Sequence, residues 1–352
     1  MTNAPEPEFD PDAPAAAASG LFGLNAHADT ARVVIVPVPF DATTSYRRGT
    51  SDGPAAILAA SHQVDLYDAE LGAVHAAGIA MLEEATQTRH LNDIARKLAL
   101  AAREDGDDSQ TAVEELNRIG DRLQQSVQET VDALLARGQI VGTVGGEHSV
   151  AYGAICAHLA RYPEMGVLHV DAHADLRAAY EGFTWSHASV MRNVLDRSAL
   201  KKLVQVGIRD FGRGEIAHIQ ANPDRVKTFF DADLGRRQLS GTSFAALADE
   251  IVGHLPEEVY ISFDVDGLDP TLCPNTGTPV PGGLSFREAC LLFETVTNSG
   301  RRIVGFDLTE VAPGEGAFDD SWDANVGARL LYKLCGRAQI RAACPPATPA
   351  VG

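Results

Sequence analysis

The sequence predicts a doubly wound α/β domain built on a mainly parallel sheet. Three observations predict it. Seven short runs rich in Val, Ile and Leu recur along the chain, and several are almost continuously apolar, as strands covered on both faces must be. Amphipathic, helix-like stretches lie between the runs, which is the alternation of βαβ units. Neither an internal repeat nor a linker-like composition breaks the series, so residues 31–340 read as one domain.

The elements follow in order. Residues 1–30, rich in Ala, Pro and Asp, read as a mobile arm or an extension that hugs a partner. Val33–Val38 is the first strand. A long helix is expected from about Ala112 to Leu135, where Val113, Leu116, Ile119, Leu123, Val127, Val131 and Leu134 recur at helical spacing. The acidic stretch Glu104–Ser109 before it reads as a solvated turn between two helices. The segment from Glu83 to Gln139 is assigned either to the pocket mouth or to an interface. Strands are then expected at Ile140–Val144, Gly166–Val170, Leu203–Ile208, Val226–Phe230, Val259–Phe263 and Arg302–Leu308. A helix begins near Ser285, where Glu288 three residues on completes a capping box. Residues 341–352, including the Pro-rich tail from Cys344, read as frayed.

Composition narrows the function classes. At 352 residues, 45% hydrophobic and 22% charged, the chain has ample material for a large core. No run approaches the length of a membrane span, and the acidic, Pro-broken N-terminus has no signal-peptide character, so a cytoplasmic location is the expectation. A net charge of -19 argues against nucleic acid, which needs a basic face. The five cysteines are scattered without any CxxC pair, which argues against a zinc ribbon or a disulfide scaffold.

Open parallel sheets bind ligands beyond the carboxyl ends of their strands, and there the unusual polar clusters of this sequence sit. Ile140–Val144 is followed by Gly145-Gly146-Glu147-His148-Ser149, and Gly166–Val170 by Asp171-Ala172-His173-Ala174-Asp175. Val259–Phe263 runs into Asp264-Val265-Asp266, and Arg302–Leu308 into Thr309-Glu310. In extended backbone, residues two apart share a face, which would aim Asp171, His173 and Asp175 together, and Asp264 with Asp266. So many carboxylates at one strand end repel unless cations neutralise them. With His148, the six candidate ligands are too many for one tetrahedral ion and suit two divalent ions bridged by shared carboxylates. Singly, each piece has a plainer reading: a hydrogen-bonding histidine after a Gly-Gly turn, a helix-cap cluster, an acidic turn. Their joint occurrence at successive strand ends favours the metal site.

These segments resemble the ureohydrolase family of arginases, agmatinases, guanidinobutyrases and formimidoylglutamases. The resemblance runs from about Val34 to Leu334 and includes Ser262-Phe263-Asp264-Val265-Asp266-Gly267-Leu268-Asp269-Pro270, Gly277–Gly283 and Asp307–Pro313, with an agmatinase-like flavour in Trp322-Asp323-Ala324-Asn325. It implies a three-layer, arginase-like α/β/α fold, a homotrimer or homohexamer, and two divalent ions per subunit, Mn²⁺ by preference with Ni²⁺ or Co²⁺ compatible. It also implies that His148, Asp171, Asp175 and Asp264 hold one ion and His173 and Asp266 the second, with Asp171 and Asp264 shared. Glu310 matches the carboxylate that holds a guanidinium, and His187, in Ser186-His187-Ala188-Ser189, the proton-shuttling histidine. Asp175 would hydrogen-bond the attacking water.

Two departures stand out. Glu147 occupies a position where many relatives carry Asp. Arg177 lies two residues beyond Asp175, where arginases tend to have Asn and agmatinases a neutral or aromatic residue. Facing the pocket, Arg177 would disfavour the ammonium of agmatine and suit a substrate carboxylate or a small substrate such as guanidine; otherwise it is a structural arginine paired to Glu181 or another local acid. The function expected is therefore metal-dependent C–N hydrolysis of a guanidino compound with release of urea. The rivals are a formimidoylglutamase-type hydrolase, a single-metal zinc deacetylase of related fold, and a paralogue that supports the active subunit of a guanidine or biguanide hydrolase. Dinucleotide binding at Gly142–Gly146 lacks the G-x-G-x-x-G spacing.

Overall fold

A computed structural model describes residues 9–16, 19–104 and 109–340. The first half of the chain runs β1 (Val33–Val38), α1 (Gly53–Ser61), β2 (Ile79–Met81), α2 (Thr86–Arg103), α3 (Ser109–Ala136), β3 (Ile140–Gly145), α4 (Ala151–Arg161) and β4 (Gly166–Val170). The second half runs α5 (Val190–Arg197), β5 (Leu203–Ile208), α6 (Arg213–Ala221), β6 (Val226–Phe230), α7 (Asp231–Leu239), α8 (Phe244–Gly253), β7 (Glu258–Asp264), α9 (Phe286–Asn298), β8 (Arg302–Thr309) and α10 (Trp322–Gln339).

Among the described residues, all eight strands join one parallel sheet in the order β2-β1-β3-β8-β7-β4-β5-β6. The seven runs read from the sequence are strands at nearly the expected bounds. The eighth, β2, was missed because its three residues are too few to show a period, and it pairs only along the edge of β1. Successive strand residues point to opposite faces, and each face has its own core. Val33 and Ile35 pack toward α1, α8, α9 and α10, whereas Val34, Val36 and Val38 pack toward α2, α3, α4 and α5. The result is the three-layer α/β/α sandwich. Among the described residues, no helix is long and apolar enough to cross a membrane.

The long helix appears as α3 with Leu116, Ile119, Leu123, Val127, Val131 and Leu134 buried. At α9, Ser285 Oγ accepts from the Glu288 amide and Glu288 accepts from the Ser285 amide, the expected reciprocal cap. The arm expected over residues 1–30 is packed in part. Leu21, Phe22 and Leu24 are buried, the Phe22 amide donates to Ser61 Oγ at 2.8 Å, and the Phe22 ring meets Tyr332 edge-on. Two leucines and a phenylalanine bury too much apolar surface to stay in water. The tail from Cys344 and most of the acidic turn after Glu104 lie outside the described residues.

The open assignment of residues 83–139 becomes concrete. Helices α2 and α3 cover the sheet and brace the segment that carries His187. Arg103 donates to the carbonyls of Thr43 and Thr44 and pairs with Glu181 at 2.6 Å. Asn117 bonds Gly182 and Thr184, and the Trp185 indole donates to Asp121 at 2.8 Å. A Cβ on Gly120 would collide with that indole, so the close approach of α3 requires glycine there.

Candidate metal centre

The central strands β3, β8, β7 and β4 deliver the unusual side chains. β3 and β4 are consecutive in the chain but stand apart in the sheet with β8 and β7 between them. That separation opens a crevice at the carboxyl ends.

β3 leads through Gly146 and Glu147 to His148. A Cβ on Gly146 would strike the Phe40 carbonyl oxygen, because this turn passes against the end of β1. Gly146→Ala is expected to destabilise the fold by about 1–3 kcal/mol through overpacking, read from urea denaturation midpoints. His148 is buried with Nδ1 at 3.0 Å from Asp171, 3.2 Å from Asp175 and 3.3 Å from Asp264. His173 Nδ1 lies 3.0 Å from Asp266 and 3.4 Å from Asp171. Two groups of possible ligand atoms result: His148, His169, Asp171 and Asp175 in one, and Asp171, His173 and Asp266 in the other. Asp171 belongs to both.

Convergence owes less to strand alternation than the sequence suggested. Asp175 sits at φ 54°, a left-handed conformation that turns its carboxylate back toward His148. Asp264 and Asp266 meet through a one-turn 3₁₀ segment, with Asp264 Oδ1 accepting from the Asp266 amide at 2.8 Å. Glu310 also has positive φ, 64°. Strained non-glycine residues of this kind persist where the surroundings hold them.

Charge in the crevice is out of balance. Burial, with Asp266 and Asp171 beside it, pushes the Asp264 carboxyl well above the ordinary range. Burial and Asp171 raise Asp175 to about 7. Burial, Asp264 and Glu147 likewise hold Glu310 well above its usual value. Burial alone would push His148 down, yet Asp171, Asp175 and Asp264 hold it well above the ordinary imidazole range. Buried carboxylates that resist ionisation call for cations, and oxygen donors mixed with imidazole nitrogen fit divalent transition ions. The residues present therefore fit a pair of metal ions.

The remaining candidates surround this floor. Glu310 Oε1 accepts from the His148 amide at 2.9 Å, and Oε2, buried, has no hydrogen-bond partner among the described residues. His187 is half-buried with Nε2 at 3.3 Å from Ser45 Oγ; burial, then the positive His173 and Arg103, lower it to about 3, so its imidazole is neutral. Arg177 lines the cavity. Its sequence neighbour Glu181 is committed to Arg103, and the acid it approaches, at 3.6 Å, is the distant Glu215. Glu215 spends its oxygens on the amides of Leu176 and Gly212, so Arg177 stacks over Tyr180 and donates no hydrogen bond to a described residue. Glu147 points away from the cavity. Its carboxylate accepts from Thr43 N, Thr43 Oγ1 and Ser149 Oγ, tying down the loop after β1.

His169 was missed. Buried on β4, it lies 2.8 Å from Asp171. The signal was present, since a histidine interrupts an apolar run two residues before Asp171, the spacing that shares a face. The cavity above the floor measures about 290 Å³ and is walled by Tyr46, Arg177, Tyr180, His187, Asp210 and Thr278.

Comparison with known proteins gives a consistent picture. A family model described as "Arginase family" matches residues 31–336. The chain is similar to an N(1)-aminopropylagmatine ureohydrolase of Thermus thermophilus, 33% identical over 89% of this chain and 92% of that protein. It is similar to the proclavaminate amidinohydrolase of Streptomyces clavuligerus, 30% identical over 86% and 87% respectively. Among solved structures, the agmatine ureohydrolase of Thermoplasma volcanium superposes with a TM-score of 0.69 at 27% identity, covering 89% of this chain and 91% of that one.

Proposed function

The chain belongs to the arginase family, and on that premise we propose that it hydrolyses a C–N bond of a small guanidino compound and releases urea. The observation that carries this reading is the pair of ligand groups sharing Asp171, with Asp175 of one and His173 of the other reaching the lining of a cavity. His148, Asp171, Asp175 and Asp264 would hold one divalent ion, and His173 and Asp266 the second, with Asp171 and Asp264 shared. Mn²⁺ suits this donor set best and Ni²⁺ is compatible. Such ions, when bound, lower the pKa of a water between them and offset negative charge that develops on the substrate.

The chain's own residues do the rest. Glu310 Oε2, buried and unpartnered, accepts N–H groups of the planar guanidinium and fixes its carbon over the floor. Asp175 takes a hydrogen bond, and then a proton, from the attacking water at its carboxylate oxygen. His187, neutral and lining the same cavity as Asp175, would relay to the departing nitrogen the proton that Asp175 takes from the water, so that no charge stays on its ring.

Arg177 sets the preference for the substrate tail. Its guanidinium has donors to spare on the wall of a small cavity, which disfavours an ammonium tail and favours guanidine itself or a guanidino acid. The relatives named for agmatine and aminopropylagmatine represent the opposite preference. The test is urea release by Mn- and Ni-loaded protein from agmatine, arginine, guanidinobutyrate, guanidinopropionate, guanidine and biguanides, with formamide followed for formiminoglutamate. Guanidine or a guanidino acid should lead; strong preference for agmatine defeats the role given to Arg177. Formamide alone would indicate a formimidoylglutamase, and activity only with an added paralogous chain a supporting subunit. Arg177→Met should shift kcat/KM toward cationic tails by about tenfold, ~1.4 kcal/mol.

A further inference from the structure

One row of residues runs in register across six strands directly beneath the ligand atoms. Thr143 on β3 is paired with Asp307 on β8, Asp307 with Ser262 on β7, and Ser262 with His169 on β4. His169 is paired in turn with Gln205 on β5, and Gln205 with Thr228 on β6. On the five strands from β3 to β5 the residues flanking the row, from Gly142 and Val144 to Val204 and Val206, are apolar and buried, and only β6 departs, with Lys227. Five of the six polar residues are also buried, from Thr143 to Gln205. Burying such a row costs free energy unless its groups are bonded to one another, and most of them are.

The direction of each bond follows from its donors. Gln205 Oε1 accepts from Thr228 Oγ1 at 2.9 Å, while Gln205 Nε2 donates to the Ala174 carbonyl at 2.8 Å. The amide is thereby oriented, and its nitrogen, 3.0 Å from His169 Nδ1, can only donate to it. His169 Nδ1 is an acceptor, so the ring hydrogen sits on Nε2 and is donated to Asp171 Oδ2 at 2.8 Å. Both ring nitrogens are spent, and none is left for a metal. On the other side, Ser262 gives its only O–H to Asp307 Oδ1 at 3.0 Å, so its oxygen accepts from His148 Nε2 at 2.9 Å; Nδ1, which faces Asp171, Asp175 and Asp264, is then the nitrogen free to take an ion.

We infer that this row is a positioning layer for the metal centre. His169, held by Gln205, orients the shared carboxylate Asp171 without coordinating an ion. Ser262, held by Asp307, orients His148 so that Nδ1 is its ligand atom. The inference rests on the two-ion reading of the site, and it assigns His169 and Ser262 as positioning residues rather than ligands. Partners in this position tune affinity, and their removal commonly weakens metal binding by about 10–100-fold.

The test uses the full-length protein and Mn²⁺ or Co²⁺ alone, with dissociation constants from chelator competition, metal per chain from elemental analysis and the fold followed by thermal melting. His169→Phe and Ser262→Ala should still take up two ions at saturation, each about 10–100-fold more weakly, and Ser262→Thr, which keeps a hydroxyl, should recover most of the loss. Affinities within twofold of wild type in both variants overturn the inference. So does His169→Phe binding a single ion at saturation, since His169 would then be a ligand. If His169→Phe fails to fold, the Ser262→Ala and Ser262→Thr pair still decides. A wild-type chain that binds two ions but releases no urea defeats the proposed function and leaves this inference standing.

Discussion

Asp264→Asn is expected to lower kcat/KM for urea release by about a thousandfold or more, ~4 kcal/mol of transition-state stabilisation, and to reduce the metal retained per chain. The substitution isolates charge from shape. Asp264 Oδ1 accepts from the Asp266 amide and so caps the 3₁₀ turn at the end of β7; the amide oxygen of Asn can accept the same bond. Asp264 Oδ2 stands 3.3 Å from His148 Nδ1, within the group of donors argued to hold the ions. Only the negative oxygen is lost, and the turn survives. The apo variant should melt no lower than the apo wild type, because burial and neighbouring Asp266 and Asp171 make the Asp264 charge costly in the absence of cations. Elemental analysis, apo melting curves and urea release on one preparation check all three. Unchanged turnover with a full complement of metal would remove Asp264 from the site.

Arg96→Ala is expected to be the most damaging single change to stability away from the crevice, at about 3 kcal/mol near neutral pH. Asp41, in the loop after β1, is fully buried, and Arg96 Nε and Nη2 each donate to it at 2.7 Å. The amides of Gly49 and Ser51 and the Asn92 side chain also donate, which places the cost at the low end of that for a broken buried pair. Burial would raise the Asp41 carboxyl, but Arg96 and these donors outweigh it and hold it below its ordinary value of 3.8. A depressed carboxylate stabilises the fold above its unfolded pKa and stops doing so as pH falls through the folded one. The wild-type advantage over Arg96→Ala should thus be full at neutral pH and shrink below about pH 4. Equal losses at pH 7 and at the acid end would show that packing, not the ion pair, is responsible. Because the same loop carries Thr43 and Ser45 against His187, the variant should also turn over more slowly at temperatures where it remains folded.

The sequence by itself determined the strand runs, their parallel arrangement and the clusters of Asp, His and Glu at the strand ends. Those are local patterns: a strand buried on both faces must be apolar throughout, and a carboxylate cluster just beyond it is unusual at any length scale. Tertiary structure alone decided the rest. The order of strands set which ends face one another, and it put β3 and β4 on either side of β8 and β7. It also turned Asp175 and Glu310 into the crevice through left-handed backbone that no alternation rule anticipates. Arg177 met the distant Glu215, because its neighbour Glu181 was already taken by Arg103 from α2. His169 acquired its partners the same way. Whether a buried histidine coordinates, positions or merely packs depends on which groups stand opposite its two nitrogens; here Asp171, just beyond β4, accepts from Nε2, and Gln205 on β5, itself oriented by Thr228 on β6, donates to Nδ1. Hydrogen bonds between strands join residues far apart in the chain, so periodicity along one strand carries no record of them.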